Sequence, residues 1–154
     1  MSEEPQIIEA EGDGWSVTLD MTAAPEYVML TQRGKATTER AQTRLQILRT
    51  HLPRYLLPDG HYCPLIADQL KQATPSMASL KSSRSFLETF SGRLGYIVFL
   101  VEPERITHHL MAMNIEMLDK LLPGRYAFVT SMEEAKERVR AFHERQEWND
   151  SPNS

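Results

Sequence analysis

Four short apolar runs are spaced along the chain, and each is followed by a stretch whose apolar residues recur at helical intervals. The first run, residues 27–31, is rich in β-branched and aromatic residues and reads as a strand that Gly34 ends. Behind it, Ala41, Leu45, Leu48 and Leu52 fall at i, i+4, i+7 spacing, predicting a helix from Thr38 to about Leu52 with that face inward. Pro53 and the Pro58-Asp59-Gly60 turn close this unit. The second run, 62–67, contains Pro64; proline cannot donate to a sheet ladder, so the strand is expected to begin at Leu65. A loop over 68–78 leads to a helix near 79–91, with Leu80, Phe86, Leu87 and Phe90 as core positions.

Residues 96–101, Tyr-Ile-Val-Phe-Leu-Val, are apolar without alternation, the pattern of a strand covered on both faces. Pro103 between Glu102 and Glu104 suits a first helical turn, and this third helix is expected to run to about Leu122, where Pro123-Gly124 stops it. Residues 126–129 form the fourth run. Ser131-Met-Glu-Glu134 then reads as a capping box opening a last helix that buries Met132, Ala135, Val139 and Phe142. Upstream, residues 7–19 are weaker strand material folded about Glu11-Gly-Asp-Gly14, and Ala23-Ala-Pro25 breaks the chain. Repeated strand–helix alternation predicts an α/β fold: a mainly parallel sheet with right-handed crossovers, preceded by an N-terminal strand or hairpin. The expected layout is a disordered leader over 1–6, a single domain over 7–148 and a disordered tail over 149–154.

Composition bounds this picture without changing it. The 154 residues are 41% hydrophobic and 25% charged, as in ordinary globular domains. A net charge of -4 argues against nucleic acid as the main partner. No apolar run approaches the roughly 18 residues of a membrane span. The acidic start, Met1-Ser-Glu-Glu-Pro5, lacks the basic and apolar regions of a secretory signal, and one cysteine cannot make an internal disulfide. A cytoplasmic location is therefore expected. Charge is unevenly placed: residues 1–26 carry seven acids and no Lys or Arg, whereas 27–54 carry six bases against Glu39 alone. The asymmetry offers a partner surface, or a bed for the leader on the first helix.

Candidate chemistry is sparse. In open α/β sheets function gathers beyond the carboxyl ends of the strands, here Thr31–Arg33, Asp68, Glu102 and Thr130–Ser131. No phosphate-binding loop, dinucleotide fingerprint, acidic receiver pair or hydrolase elbow is present at these ends. Asp68 and Glu102 are the one acid–base pair the layout suggests, and both also suit the helix starts that follow them. His51, His61, His108, His109 and His143 lack metal-ligand spacing, and Cys63 reads as a buried structural thiol. Neither a metal nor a cofactor is expected. The third helix carries more apolar surface than one sheet needs: Ile106, Leu110, Met113, Met117 and Leu121 form a stripe that Met111, Ile115 and Leu118 widen. That methionine-rich excess suits a partner surface or the wall of an apolar pocket. Before the second helix, Thr74-Pro-Ser-Met-Ala-Ser79 places serines at a helix start, which caps the helix and favours a phosphate there.

Three stretches carry a resemblance: Pro-Leu-Ile-Ala-Asp68, Tyr96-Ile-Val-Phe-Leu-Val101, and Tyr126-Ala-Phe-Val-Thr-Ser-Met-Glu-Glu-Ala-Lys136. Over residues 7–142 the chain resembles the STAS-domain group, the SpoIIAA-like fold of anti-sigma-factor antagonists, and especially its divergent bacterial members. The resemblance implies a four-turn βα superhelix, no enzymatic activity, and regulatory work through a protein partner, with a homodimer as one arrangement. It also implies a phosphoacceptor serine at the second helix. Ser76 is the nearest match, although the aspartate, second serine and glycine of the family's stretch are missing. Some relatives resemble lipid-exchange domains, which keeps a small apolar ligand or lipid as the alternative.

Overall fold

The computed structural model describes residues 6–35, 37–68, 77–103 and 115–149. Six strands, β1 (Ile7–Gly12), β2 (Trp15–Asp20), β3 (Val28–Gly34), β4 (Leu65–Asp68), β5 (Ile97–Leu100) and β6 (Tyr126–Val129), form one sheet in sequence order. The helices are α1 (Thr38–His51), α2 (Met77–Phe90), α3 (Ile115–Leu121) and α4 (Met132–Asn149). Strands β3 to β6 are mutually parallel, with Leu30 in register with Ala67, Ala67 with Phe99 and Phe99 with Phe128. The leading pair β1–β2 adds antiparallel to β3. The expected parallel sheet with an N-terminal hairpin is therefore the observed one, an α/β architecture.

The hairpin turns on two residues, Asp13 and Gly14, because Gly12 already pairs with Trp15. Asp-Gly is the favoured tight-turn pair, and Gly14 takes the positive φ of 78° that it requires. Gly34, at φ 84°, ends β3 and lets Lys35 donate its backbone N–H to the Gly14 carbonyl at 2.9 Å.

Alternation along β1–β3 and its loss in β4 and β5 decide which faces are covered. On one face Trp15, Val17, Leu19, Leu30, Leu65, Ala67, Ile97 and Phe99 meet Leu48 and Leu52 near α1, Leu87 and Phe90 of α2, and Leu118 and Leu122 near α3. On the other, Ile66, Val98, Leu100 and Val129 meet Ala135, Val139 and Phe142 of α4. Among the described residues, one helix covers only half of that second face. The half it leaves open is polar: Glu9 and Glu11 of β1, Ser16 and Thr18 of β2.

Three helical details differ from the periodicity reading. In α1 the buried face is Arg40, Arg44, Ile47 and Leu48, with Leu52 beyond, while Ala41 and Leu45 are half-buried. Apolar spacing missed the rotation because two of the inward residues are arginines. In the capping box, the Glu134 N–H donates to Ser131 Oγ at 3.1 Å, but the Glu134 carboxylate accepts from the Thr130 hydroxyl, also at 3.1 Å, instead of reaching back to the cap backbone. The last helix continues through Asn149, so the expected tail overlaps it by one residue. Arg125, just before β6, donates to the carbonyls of Leu94, of Ser91 at 3.0 Å and of Leu121 at 3.3 Å. One cation thus binds the carbonyls at the ends of α2 and α3 together.

Leu65 is fully buried at the centre of the sheet, and Ile7 on the edge strand is 48% exposed. Leu65→Ala is expected to lower unfolding free energy by about 2–5 kcal/mol and Ile7→Ala by about 0.5 kcal/mol or less, measured by urea denaturation.

Candidate functional site

With four parallel strands, the sheet has two chemically distinct ends, and both carry polar structure. At the carboxyl end, Asp68 closes β4 in register with Leu100, and Glu102 lies two residues further along the neighbouring strand's path. Both acids are half-buried. Thr130 and Ser131, the other expected end residues, are engaged in the start of α4 as described above.

The side chains that distinguish this end are ones the sequence reading left out: Gln32, Arg40 and Arg44. Gln32 alternates onto the inner face of β3, opposite Val17, where an apolar residue is the rule. It is 3% exposed, as is Arg40, and Arg44 is 8% exposed. Arg40 donates from Nη1 to the Gly34 carbonyl at 3.1 Å, and Arg44 donates from Nη1 to Gln32 Oε1 at 3.1 Å. The Arg44 guanidinium also lies over the Phe86 ring of α2, 5.7 Å from its centroid. Burial, with the like charge of Arg40 nearby, holds the Arg44 pKa down to about 10, and burial also lowers that of Arg40. The helix carrying both is capped by Thr37, whose hydroxyl accepts from the Arg40 N–H at 3.1 Å. A signal did exist in the sequence: arginines four residues apart on a helix behind a strand bearing an inward glutamine. Hydrophobic periodicity does not register it.

At the amino end a cavity of about 690 Å³ opens between the loop before β3, the turn before β4 and the second half of α4. Its walls are Ala23, Ala24, Pro25, Leu57 and Pro58, and its rim carries Glu26, Asp59, Arg140 and Glu144. His143 ties one side shut: its Nε2 lies 2.6 Å from the Glu26 carbonyl oxygen. A carbonyl can only accept, so Nε2 bears the proton. Asp59 contacts His61 Nδ1 at 2.9 Å and accepts from the His61 N–H at 3.0 Å, which together hold the Asp59 carboxyl below its usual value despite the opposing effect of burial.

Of the expected partner surface, Met111 and Met113 lie outside the described residues, as does Ser76. Ile115 opens α3, Met117 is half-buried, and Leu118 is fully buried against the sheet. Leu118 is therefore core: with Leu122 one turn later it faces the sheet. Among the described residues no three of His, Cys, Asp and Glu converge as metal ligands, and no helix is long and apolar enough to cross a membrane.

Comparison with known proteins places the architecture. No protein-family model and no curated protein matches the chain by sequence. By structure it is similar to an anti-sigma factor antagonist from Mycobacterium paratuberculosis, with 14% identity and a TM-score of 0.56 over 85% of this chain and 98% of that one. It is similar also to an uncharacterised DUF3478-family protein with a SpoIIAA-like fold from Shewanella loihica PV-4, at 12% identity and TM-score 0.61, covering 84% and 97%. The fold class is thus SpoIIAA-like, the fold that the three sequence stretches had suggested.

Cys63 is fully buried, and burial pushes its thiol up to about 12. In the folded protein it is expected to stay inert to a thiol reagent at pH 8 and to react on denaturation. Because the folded value lies above the unfolded one near 8.5, the neutral thiol stabilises the fold below about pH 8.5. That contribution is lost as pH rises toward 12, so wild type is expected to lose more stability than Cys63→Ala between pH 8.5 and 11 in denaturant titrations.

Proposed function

We propose that this domain is a non-enzymatic regulatory module of cytoplasmic bacterial signalling that acts by binding a protein partner. The observation that supports this reading most is its fold, shared with an anti-sigma factor antagonist over nearly that protein's whole length. The polar groups fit it too: Thr130 and Ser131 are engaged in the start of α4, and the carboxyl end of β3 carries a buried Gln–Arg cluster. The proposed contact surface is the outer face of α2, with Ser76 before it as the phosphoacceptor that switches binding, extended by the methionines Met111, Met113 and Met117 and by Ile115. Along α2, Arg84, Ser85, Glu88 and Thr89 are exposed, and Arg84 pairs with Glu88 at 3.1 Å. An exposed pair of this kind adds little stability, so its charges are free to be matched by a partner.

Charge reversal tests this. A tagged chain is crosslinked in its native host, and the captured protein is then titrated against purified variants. Arg84→Glu with Glu88→Lys is expected to weaken binding at least tenfold while leaving the melting temperature within about 2 °C, and Lys136→Glu on α4 to leave binding unchanged. Equal binding by all three proteins would contradict the assigned surface.

The amino-end cavity favours a second reading, a small-ligand domain. Its roughly 690 Å³ falls in the size range of small-molecule sites, and its walls are apolar. Native mass spectrometry of gently purified protein is then expected to show a bound mass that Ala24→Trp displaces; a clean apo mass would exclude it.

A further inference from the structure

We propose that Arg44 is the receptor for a single oxyanion, a carboxylate or phosphate group that takes the Nε–Nη2 edge of its guanidinium, with Arg40 alongside as the second positive charge.

The geometry favours that edge. Nη1 of Arg44 already gives an N–H to Gln32 Oε1, and the Phe86 ring covers one face of the guanidinium. Among the described residues, Nε is sealed from solvent without a hydrogen-bond partner, and no hydrogen bond engages Nη2. The N–H bonds of Nε and Nη2 run parallel, with the spacing of two oxygens on one carboxyl carbon or phosphorus. A fork of this shape, nine-tenths buried and with its Nε unpartnered, is complementary to one chemical group.

The charges agree. Gln32 is neutral, and Gly34 offers Arg40 only a carbonyl. No carboxylate pairs with either arginine among the described residues. Burying a cation without an anion destabilises a fold, and hydrophobic residues of similar volume commonly do better in its place. Arg44, on α1, sits between Gln32 of β3 and Phe86 of α2. An incoming oxyanion supplies both the absent countercharge and acceptors for the orphaned N–H.

Two sources carry such a group: a free ion, or an acidic or phosphorylated side chain of the partner proposed above. The inference rests on that partner only for the second source. The test uses the full chain and inorganic phosphate, comparing thermal melts in sodium phosphate and in sodium chloride at matched ionic strength. Phosphate stabilises proteins generally, so the informative quantity is the increment of wild type beyond that of Arg44→Met. We expect wild type to gain about 2–4 °C more than Arg44→Met. Arg44→Lys is expected to lose the extra gain, because an ammonium cannot offer the fork. In chloride alone, Arg44→Met should melt at or above wild type. Gln32→Glu, which supplies an internal carboxylate, should raise the chloride melting temperature and remove the phosphate increment. Equal increments in wild type and Arg44→Met overturn the proposal, as does an Arg44→Met protein melting well below wild type in chloride. These melts need no partner, so their failure leaves the partner reading standing. In a second arm phosphate is added to the captured complex: its dissociation assigns the oxyanion to the partner, and its persistence assigns a free ion.

Discussion

The constraint on which the rest of this structure depends is that β4 and β5 have no polar face. Leu65, Ile66 and Ala67, like Ile97 through Leu100, are buried whichever way they point. A four-residue strand of that kind is stable only between two layers, so helices must cover both sides of the sheet centre. The chain meets the demand with α1, α2 and α3 on one face and α4 on the other. Parallel order follows, since each short strand must return to the same edge through a crossover helix.

A centre that is apolar on both sides confines polar chemistry to the periphery. The outer half of the sheet, β1 to β3, alternates and exposes Glu9, Glu11, Ser16 and Thr18 on the face that α4 does not reach. The amino ends of β3 and β4 frame a cavity roofed by α4, and the carboxyl end of β3 receives the two arginines of α1. The arginines are the exception to the rule of the core. They sit inside it, at the point where the two-sided centre gives way to the one-sided hairpin, and Gln32 is the strand residue that accommodates them. The proposed interaction surface and the buried cationic fork are compatible on such a scaffold, because neither asks the apolar centre to change.

Most of the fold was legible in the sequence, because the strongest signals are local. The unbroken apolar run ending at Val101 and the proline that delays β4 to Leu65 each report a neighbourhood a few residues wide. The Asp13-Gly14 turn does the same for the hairpin. What escaped was polar burial. Periodicity weighs Arg40 and Arg44 as solvent-facing, so it turned α1 toward Ala41 and Leu45, and the cluster that distinguishes the carboxyl end went unseen. For the same reason Leu118 was assigned to a surplus: an apolar arc on its own does not say which of its edges faces the sheet. The amino-end cavity was invisible because its walls come from three segments separated by about thirty and eighty residues, and no linear pattern joins them.

Native-state hydrogen exchange, read residue by residue, tests the two-sided centre most directly. The amides of Ile66, Val98 and Phe99 are expected to exchange only through global unfolding, with free energies equal to that from denaturant titration, while the amides of edge strand β1 exchange through smaller openings. Amides of β4 and β5 exchanging as readily as those of β1 would contradict a sheet whose middle is sealed from both sides.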